Sequence, residues 1–335
     1  MTVKVEKTRK YLWGILYGLA LTIFTVYLLL DTFVIARVYQ VVPRENGPSI
    51  TESENKNEED NGTEKDGENN AETEEKSENE ERDGTTAENG EAKITENSYE
   101  DDNISITVTE YRENGTTVYV ANVRLSSAEY LKTAFANGAY GKNVTEKTSE
   151  IAKNNGAILA INGDYYGSRE NGFVLRNGTL YRNSASNDRE AVVVYEDGSF
   201  EIITETAVSA ESLAAAGAEQ IFSFGPSLVV EGEISITEDE EVGKAQASNP
   251  RTAIGIVGKL HYLFVVSDGR TDESEGLSLY ELAEFMRSLG AVTAYNLDGG
   301  GSSTMYFNGK IINNPTTNGR TVSERNVSDI VYIGY

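Results

Sequence analysis

A run of 20 residues without a charged side chain, at positions 11–30, most constrains what this chain can form. A helix rises about 1.5 Å per residue, so a run of this length spans the hydrocarbon core of a bilayer, which is about 30 Å thick. The run is apolar on every side, unlike the single apolar stripe of a helix that packs on a protein core. We therefore predict a transmembrane segment at residues 11–35, preceded by a cytoplasmic stretch at residues 1–10.

The charges on either side of this run predict its orientation. Basic residues from Lys4 to Lys10 precede the run, whereas Asp31 follows it. By the positive-inside rule, the N-terminus is cytoplasmic and the rest of the chain is extracellular. A cleaved signal peptide is the alternative, but the run exceeds the usual h-region of about 7–15 residues and no A-x-A-like cleavage site follows. We expect an uncleaved, single-pass anchor in a bacterial cell membrane.

An acidic segment follows the apolar run. Residues 51–90 contain 16 acidic and 4 basic side chains and no Val, Ile, Leu, Phe, Met, Trp or Tyr. Such a segment cannot bury enough apolar surface to offset its ordering entropy, and repulsion between its charges extends it. We predict an acidic, disordered linker at residues 36–99, which acts as a spacer and lifts the following domain away from the membrane. A metal-binding or partner-binding acidic tail is the alternative.

The net charge of −25 and the absence of cysteine exclude several functions. A chain this acidic lacks the basic side chains that neutralise nucleic-acid phosphates, so we expect no nucleic-acid partner. Without cysteine there is neither a disulfide nor a thiolate zinc site. The single histidine, His261, has no serine or carboxylate motif beside it, which argues against a Ser-His-Asp triad and histidine-ligated zinc. Any catalysis must use carboxylates, arginines, hydroxyls and backbone amides.

The chain beyond residue 100 is rich in hairpin signals. Asn-Gly or Asp-Gly pairs separate β-rich runs in predicted hairpins at residues 104–125, 173–182 and 191–202. Residues 277–290 carry a helical apolar stripe that begins with Ser278 and Glu281 at capping-box spacing, and a strand follows. These patterns predict an α+β fold of mainly antiparallel mixed sheets with packed helices, in one domain at residues 100–335.

Polar side chains cluster where predicted strands end in glycine-bearing loops. Asp164 follows the strand ILAI, Asp268 ends YLFVVSD, and Asp298 ends VTAYNLD. Loops of this kind are where a rigid sheet presents side chains to a ligand, so we expect them to converge at one sheet edge. Asp-Gly is also a common tight-turn pair, which leaves a purely structural role open for each aspartate.

Three consecutive glycines follow Asp298 in the stretch NLDGGGSSTMYFNG, residues 296–309. Glycine loses more backbone freedom on folding than any other residue, so three in a row indicate close approach to other backbone or to a ligand. Glycine-rich backbone can present N–H groups to an anion, and arginine forms paired hydrogen bonds with phosphate. Carboxylates assist glycoside hydrolysis. Hydrolysis of a sugar that is joined through its anomeric carbon to a phosphodiester would use all three: the glycine-rich backbone, the arginines and the carboxylates.

Seven blocks of the sequence occur together in the order of one known family: AINGDYYG, FSFGPSLV, PRTAIGI, SDGR, GLSLYELAEFMRSLGA, NLDGGGSSTM and ERNVSD. They resemble the phosphodiester glycosidase family, which includes the mannose 6-phosphate uncovering enzyme and bacterial exopolysaccharide-associated proteins. The resemblance covers about residues 100–335 and implies hydrolysis of a sugar-1-phosphodiester to a free sugar and a phosphomonoester. The chain departs from the uncovering enzyme by adding Asp164 and lacking cysteines, so substrate identity does not carry over.

The resemblance and the residue types together give an expected site. Asp298 is the leading candidate for nucleophile or general base, with Asp164 and Asp268 as competing carboxylates. The residues expected to bind substrate or phosphate are Asn162, Arg251, Thr252, Arg270, Asn296, Gly299, Gly300, Gly301, Ser302, Ser303, Thr304 and Arg325. Spacing identifies no metal or cofactor site, although oxygen ligands of this kind suit Ca²⁺ or Mg²⁺.

Three functions remain open at this point. The expected one is a membrane-anchored, extracytoplasmic hydrolase that cleaves the glycosidic C–O bond of sugar-1-phosphodiesters in cell-surface or exopolysaccharide glycans. The second is an envelope protein that binds phosphorylated glycan without catalysis. The third is a phosphodiesterase that cuts the P–O bond. The expected partners are the membrane, through the N-terminal helix, and the phosphorylated glycan.

Overall fold

The computed structural model describes residues 2–42, 92–187, 189–239 and 248–335, with side chains from residue 12 onward. The central part of the predicted linker, residues 43–91, lies outside the described residues, so its disorder stays a prediction. Both ends of the predicted linker range form β-strands, which the low apolar content of its centre did not suggest.

Helices and strands are named in chain order. The helices are α1 (Thr2–Phe33), α2 (Thr148–Asn154), α3 (Ala210–Ala215) and α4 (Leu279–Ser288). The strands before α2 are β1 (Arg37–Val41), β2 (Lys93–Ile94), β3 (Ser98–Glu100), β4 (Ile104–Glu113), β5 (Thr116–Leu125), β6 (Leu131–Phe135), β7 (Ala139–Lys142) and β8 (Glu146–Lys147). Those between α2 and α4 are β9 (Leu159–Asn162), β10 (Val174–Arg176), β11 (Thr179–Arg182), β12 (Glu190–Tyr195), β13 (Phe200–Thr204), β14 (Ala218–Phe222), β15 (Ser227–Val230), β16 (Glu233–Ile234), β17 (Arg251–Gly258) and β18 (His261–Ser267). Those after α4 are β19 (Thr293–Asn296), β20 (Met305–Phe307), β21 (Lys310–Ile311), β22 (Asn326–Val327) and β23 (Asp329–Ile333).

Antiparallel pairing joins all neighbouring strands of the described residues. A nine-stranded sheet has the order β16-β15-β19-β17-β18-β5-β4-β3-β2, and two five-stranded sheets have the orders β11-β10-β14-β12-β13 and β21-β20-β9-β23-β6. Two-stranded ribbons, β1-β7 and β22-β8, complete the described pairing. The predicted α+β class with mainly antiparallel sheets is confirmed.

The main core lies between one face of the nine-stranded sheet and the inner faces of both five-stranded sheets. Ile106 and Phe264 point into it from the large sheet, and Ile161, Val331 and Phe222 meet them from the smaller sheets. All five are almost completely buried, and full burial of a side chain of this size contributes about 1.5–3 kcal/mol. This shared core fixes the three sheets relative to one another.

Helices cover the outer faces of the sheets. On the nine-stranded sheet, Leu282 and Met286 of α4 are spaced one helical turn apart and pack with Val265. Ile151 of α2 packs on the outside of one five-stranded sheet, and Leu213 of α3 packs on the outside of the other. The domain is therefore layered as helix, sheet, paired sheets and helices.

The predicted hairpins are confirmed. The turn between β4 and β5 places Asn114 and Gly115 at φ 43° and 72°, the left-handed pair that a two-residue hairpin turn requires. Asn177-Gly178 joins β10 to β11 in the same way, and Asp197-Gly198 lies in the turn between β12 and β13.

The helix predicted at residues 277–290 and the strand after it are also present, and with β18 they form a split β-α-β unit. Strands β18 and β19 are parallel to each other because both pair antiparallel with β17, which lies between them. Helix α4 makes the crossover, and the predicted capping box is present in both directions between Ser278 and Glu281. Gly290 follows the helix at φ 90°, the left-handed position that favours glycine after a C-terminus.

The N-terminal helix is long and apolar enough to cross a membrane. Its residues Leu12–Phe33 have a mean hydropathy of 1.9 and none is buried against the domain, which makes α1 the one such helix among the described residues. Membrane anchors and signal sequences share this length and composition. Strand β1 follows three residues after α1 and pairs with β7 of the domain.

The capping box generates a prediction for α4. Ser278→Ala removes the hydroxyl that accepts the backbone N–H of Glu281, so it should destabilise the domain by about 1 kcal/mol. Urea denaturation followed by circular dichroism measures this loss. The control is Glu284→Ala on the exposed face of the same helix, which should stay within about 0.5 kcal/mol of the parent chain. Equal losses in both variants would contradict a stabilising cap.

Candidate active site

Four strand ends meet at one place in the fold. Strand β17 runs antiparallel between β18 and β19, so its first residue, Arg251, lies opposite Ser267 at the end of β18. Two residues along, Ala253 lies opposite Asn296 at the end of β19. Strand β9 reaches the same place from a five-stranded sheet and ends at Asn162. The predicted convergence is therefore present, but it joins two sheets and is not confined to one sheet edge.

A cavity of about 200 Å³ opens at this convergence. It is lined by Phe224, Asn249, Arg251, Arg270, Asn296, Leu297, Asp298, Gly299, Gly300 and Arg325. Two larger grooves of about 590 and 580 Å³ lie elsewhere, and no arginine lines either of them. The smaller cavity is the candidate site because it holds an aspartate, three arginines and two glycines of the predicted set.

Asn162 ties the elements of the site together. Its Nδ2 atom donates to the backbone carbonyl of Asp298 at 2.6 Å. Its Oδ1 atom accepts from the hydroxyl of Thr252 at 2.9 Å and from the backbone N–H of Thr304 at 3.2 Å. One amide thus joins β9, β17 and both ends of the glycine loop. Because all these bonds are internal, Asn162 and Thr252 position the loop and do not face a ligand directly.

Asp298 has the electrostatic signature of a reactive carboxylate. The residue lies at the cavity wall, and its Oδ2 atom is out of contact with solvent and has no hydrogen-bond partner among the described residues. Burial raises the pKa of Asp298 to about 6, whereas Ser302 and the positive charges of Arg325 and Arg169 act to lower it. Carboxylates with raised pKa values in clefts are typical of catalytic sites.

Three arginines carry positive charge into the same cavity. Arg251 is almost completely buried and donates from Nε to the carbonyl of Leu277 at 2.8 Å. Arg270 donates to the carbonyl of Thr317 at 2.7 Å, and partial burial together with the charges of Arg325 and Arg251 lowers its pKa. Arg325 lies exposed at the rim. Three clustered guanidinium groups make the cavity suited to a phosphate or another polyoxyanion.

Each of the three glycines of the loop lies close to another group. A Cβ atom on Gly299 would lie 2.9 Å from the carbonyl oxygen of Pro250, which is backbone and cannot yield. Gly300 has a φ of 62°, which favours glycine, and its Cβ would lie 2.8 Å from Nη2 of Arg270. A Cβ on Gly301 would lie 2.4 Å from Oγ1 of Thr317 and 2.9 Å from Nη2 of Arg325. The amide of Gly300 already donates to the Pro250 carbonyl at 2.7 Å, so close approach, more than free amides, accounts for the glycine run.

The hydroxyl residues after the glycines lie behind the cavity. Ser302, Ser303 and Thr304 are buried; the hydroxyl of Ser302 interacts with the Asp298 carboxylate, whereas those of Ser303 and Thr304 have no hydrogen-bond partner among the described residues. Asn296 lines the cavity, and its buried Oδ1 atom also has no hydrogen-bond partner among the described residues. Buried polar atoms are ordinarily paired, so these groups are placed to bond to ligand or ordered water.

Asp268 lies outside the cavity lining. Its Oδ1 atom accepts from the Asn313 side chain at 3.2 Å and from the Asn314 backbone at 2.8 Å, and its Oδ2 atom accepts from the Asn314 side chain at 3.2 Å. This carboxylate is occupied in holding the loop after β21. Its contacts favour a positioning role over the predicted catalytic one.

Asp164 also lies outside the cavity lining, in a buried ionic group that sequence reasoning did not predict. Arg176, with 2% of its surface exposed, lies 3.0 Å from Asp164 and 2.8 Å from Asp329. Asp164 also accepts from the backbone N–H of Ser223 at 2.9 Å. Burial raises the pKa of Asp329, and Arg176 opposes this shift. Asp164, which the sequence suggested as an alternative catalytic carboxylate to Asp298, is thus held in an ion pair with Arg176.

The ERNVSD block places Arg325 at the rim through its neighbours. Glu324 accepts from the backbone N–H of Ser149 at 3.0 Å and so caps the first turn of α2. On the other side, β22 begins at Asn326 and pairs with β8, and Asp329 is fixed by Arg176. The chain is therefore held in place on both sides of Arg325, by Glu324 before it and by β22 after it. Among the described residues, no cluster of His, Asp or Glu is arranged to hold a metal ion.

Comparisons with known proteins agree with this geometry. The family described as "Phosphodiester glycosidase" matches residues 155–334, more than half of the chain and the part that contains the whole candidate site.

The chain belongs to the phosphodiester glycosidase family.

Individual members differ in how much they share. The SPbeta prophage-derived uncharacterized protein YomE of Bacillus subtilis (strain 168) is 30% identical over 203 residues, which are 58% of this chain and 31% of YomE. N-acetylglucosamine-1-phosphodiester alpha-N-acetylglucosaminidase of Mus musculus is 38% identical over 87 residues, 25% of this chain and 17% of the mouse protein. The chain thus spans about a third or less of the length of these relatives.

Solved structures share the fold of this phosphodiester glycosidase family member. The catalytic domain of the zebrafish alpha-N-acetylglucosaminidase, auto-inhibited by its pro-peptide, superposes with a TM-score of 0.55 at 22% identity. The match covers 69% of this chain and 83% of that domain. A hypothetical protein from Synechocystis gives a TM-score of 0.54 at 16% identity, with coverage of 70% and 62%.

Two residues of the site escaped sequence reasoning. Arg169 donates to the carbonyl of Ser223 at 2.9 Å and its guanidinium lies 4.6 Å above the ring of Phe224, a cavity-lining residue. Arg169 lies in a polar loop without periodic pattern, so no signal marked it. Arg176 did have a signal, since it is a charged residue directly after the apolar run of residues 173–175, at the end of β10.

The buried ionic group generates a prediction about stability. Arg176→Met leaves Asp164 and Asp329 buried without a counter-ion, so it should destabilise the domain by about 3–5 kcal/mol at pH 7.5. The loss should shrink towards pH 4, because burial raises the pKa of Asp329, and its protonation removes a buried charge that the variant leaves without a counter-ion. Urea denaturation at the two pH values measures the difference.

The matched control is Arg287→Met on α4. Arg287 is half-exposed and lies 3.6 Å from the exposed Glu233, so its loss should change stability by less than about 1 kcal/mol at either pH. A loss for Arg176→Met no larger than for this control would show that the buried group does not stabilise the fold.

Proposed function

We propose that this chain is a membrane-anchored hydrolase that cleaves the glycosidic C–O bond of sugar-1-phosphodiesters outside the cell. The observation that carries the proposal is the cavity in which Asp298, with its raised pKa, lies among Arg251, Arg270 and Arg325. The family relationship and the names of the alpha-N-acetylglucosaminidase relatives support this reaction class.

The arginines serve the leaving group in this reaction. As the bond between the anomeric carbon and the phosphodiester oxygen breaks, the electron pair leaves with the phosphate and its negative charge increases. Guanidinium groups that lie against the glycine loop would stabilise that charge as it develops. A phosphate monoester is a weak base, so it leaves without strong help from a general acid.

Asp298 serves the anomeric carbon. As a nucleophile it would form a glycosyl ester that water then hydrolyses, and as a general base it would take a proton from the attacking water. Both roles need an ionised carboxylate at the cavity wall, which is where Asp298 lies. The products are the free sugar and a phosphomonoester in either case, but the first route retains and the second inverts the anomeric configuration.

The sugar ring has suitable partners on the same cavity wall. Asn296 offers an unpaired Oδ1 atom to a sugar hydroxyl, and Phe224 contributes an aromatic ring. Apolar and aromatic surface with a few convergent polar groups is the usual lining of a small-ligand pocket.

The location of the substrate follows from the N-terminal segment. Helix α1 would span the membrane as an anchor with its basic end in the cytoplasm, and the domain would then face cell-surface or exopolysaccharide glycans. Mass spectrometry of the mature N-terminus tests the anchor, because signal cleavage would remove the residues of α1.

Asp298→Asn tests the catalytic assignment. The amide keeps the shape of the side chain but removes the charge and the nucleophile, so kcat/KM on a sugar-1-phosphodiester should fall by about 10²–10⁴-fold. The matched control is Asp197→Asn in the exposed turn between β12 and β13, which should keep full activity. Full activity of the Asp298 variant would remove Asp298 from the mechanism.

Product analysis in ¹⁸O-labelled water identifies the bond that breaks. Cleavage of the C–O bond places the label on the free sugar, with an unlabelled phosphomonoester as the second product. Label in phosphate together with sugar phosphate would instead indicate a phosphodiesterase. Unchanged substrate across a panel of sugars, with measurable binding, would indicate a glycan-binding protein.

The pH dependence follows from the raised pKa of Asp298. Because burial raises this pKa to about 6, the carboxylate keeps its proton up to that pH and is ionised above it. The role of base or nucleophile requires the ionised form, so kcat/KM should rise about tenfold per pH unit below pH 6 and level off above pH 7. Steady-state rates from pH 4.5 to 8.5 measure the profile, and a rate that falls above pH 6 would assign Asp298 the role of general acid.

A further inference from the structure

The helix that is proposed to cross the membrane is joined to the domain by a strand. Only three residues separate the end of α1 from the start of β1. Strand β1 then pairs with β7, with Arg37 opposite Lys142 and Val41 opposite Ala139. The backbone N–H of Val42 continues the pairing by donating to the carbonyl of Gly138 at 2.8 Å.

The domain also contacts the last turn of α1 itself. Nδ2 of Asn143, directly after β7, donates to the carbonyl oxygens of Thr32 and Ile35 at 3.2 Å each. Carbonyls at the C-terminal end of a helix have no partner within the helix and need one outside it. An ion pair between Asp31 and Arg37 bridges the helix end and the strand. The domain thus completes the end of the helix.

Gly141 of β7 is fitted to this contact. A Cβ atom at this position would lie 2.2 Å from the backbone oxygen of Arg37 and 2.8 Å from the side chain of Val144. Backbone atoms cannot yield as a flexible side chain can, so only glycine allows β1 to lie this close. The sequence of the domain therefore carries a feature that the docked strand requires.

Apolar contacts add to the backbone pairing. The ring of Tyr39 lies 5.8 Å from that of Tyr140, and Val42 packs against the cluster of Phe135, Tyr140 and Tyr166. The other side chains of β1 remain largely exposed, so backbone hydrogen bonds and close approach define the contact more than burial does.

We propose that β1 clamps the domain against the outer surface of the membrane. The acidic segment then starts at β1 and returns to β2, and both of its ends are held on the domain. Under this proposal the segment need not separate the domain from the membrane, as the spacer of the sequence-based prediction would. The proposal rests on the membrane anchor proposed above, whereas the pairing of β1 with β7 does not depend on it.

The two arrangements place the site at very different heights. An extended chain spans about 3.3 Å per residue, so a spacer of residues 43–91 would allow the domain to move up to roughly 160 Å from the bilayer. The clamp instead restricts the domain to sugar-1-phosphodiesters within reach of the membrane surface.

A cysteine pair tests the clamp, since the natural chain has no cysteine to interfere. In the full-length protein in membranes, Arg37→Cys with Lys142→Cys should form a disulfide within minutes under mild oxidation, because antiparallel partners meet the distance that a disulfide needs. The matched control joins Arg37→Cys to Lys259→Cys, an exposed position in the turn between β17 and β18. Equal rates in the two pairs would overturn the clamp.

Adding Gly141→Val to the first cysteine pair tests the close approach directly. The valine side chain occupies the place of the Arg37 carbonyl, so disulfide formation should slow at least tenfold while the thermal unfolding of the domain stays cooperative. Unchanged crosslinking in this variant would show that Gly141 does not serve the contact.

The height of the domain is measured by energy transfer to acceptor lipids from a dye on Lys259→Cys, an exposed position outside the clamp. A second variant duplicates residues 51–90, which lengthens the acidic segment without removing any of it. The clamp predicts the same transfer in both variants, and a spacer predicts lower transfer in the longer one, which would overturn the proposal. If the protein fractionates as soluble but the cysteines at positions 37 and 142 still form the disulfide, the membrane anchor is refuted and the pairing of β1 with β7 is supported.

Discussion

The candidate site depends on the amide side chain of Asn162. It bonds to the backbone carbonyl of Asp298, to Thr252 on β17 and to the amide of Thr304, so one residue fixes both ends of the glycine loop. The loop belongs to the connection from the nine-stranded sheet to a five-stranded sheet, and Asn162 is the end of a strand in the latter. The shared apolar core fixes these sheets relative to one another. The hydrogen bonds of the Asn162 amide then fix the loop that connects them.

The positive charge of two arginines lies directly against the backbone of that loop. Glycines remove the Cβ atoms that would meet the guanidinium groups of Arg270 and Arg325, so the arginines lie directly on backbone. Burial, and next the charges of Arg325 and Arg251, lower the pKa of Arg270. The same field opposes the effect of burial on Asp298. The proposed site would therefore combine a reactive carboxylate with an anion-binding wall, without histidine or cysteine.

Much of the fold was predictable because its signals are local. The Asn-Gly hairpin of β4 and β5, the capping box of α4 and the all-apolar strand β9 each depend on residues close together in the chain. The roles of the aspartates were less predictable. Asp164, Asp268 and Asp298 each lie within two residues of a strand end and next to a glycine, and only their partners in space distinguish them.

By itself the sequence determined the apolar helix, the antiparallel α+β class, the family and the set of polar residues near the site, because periodicity, turn pairs and ordered motifs are properties of the linear chain. Tertiary structure alone decided which carboxylate is left unpaired, why three glycines are needed, and that the strand after α1 lies on β7. Those outcomes depend on the distance between groups far apart in the chain, such as the 153 residues between Arg176 and Asp329, and burial then sets their charge.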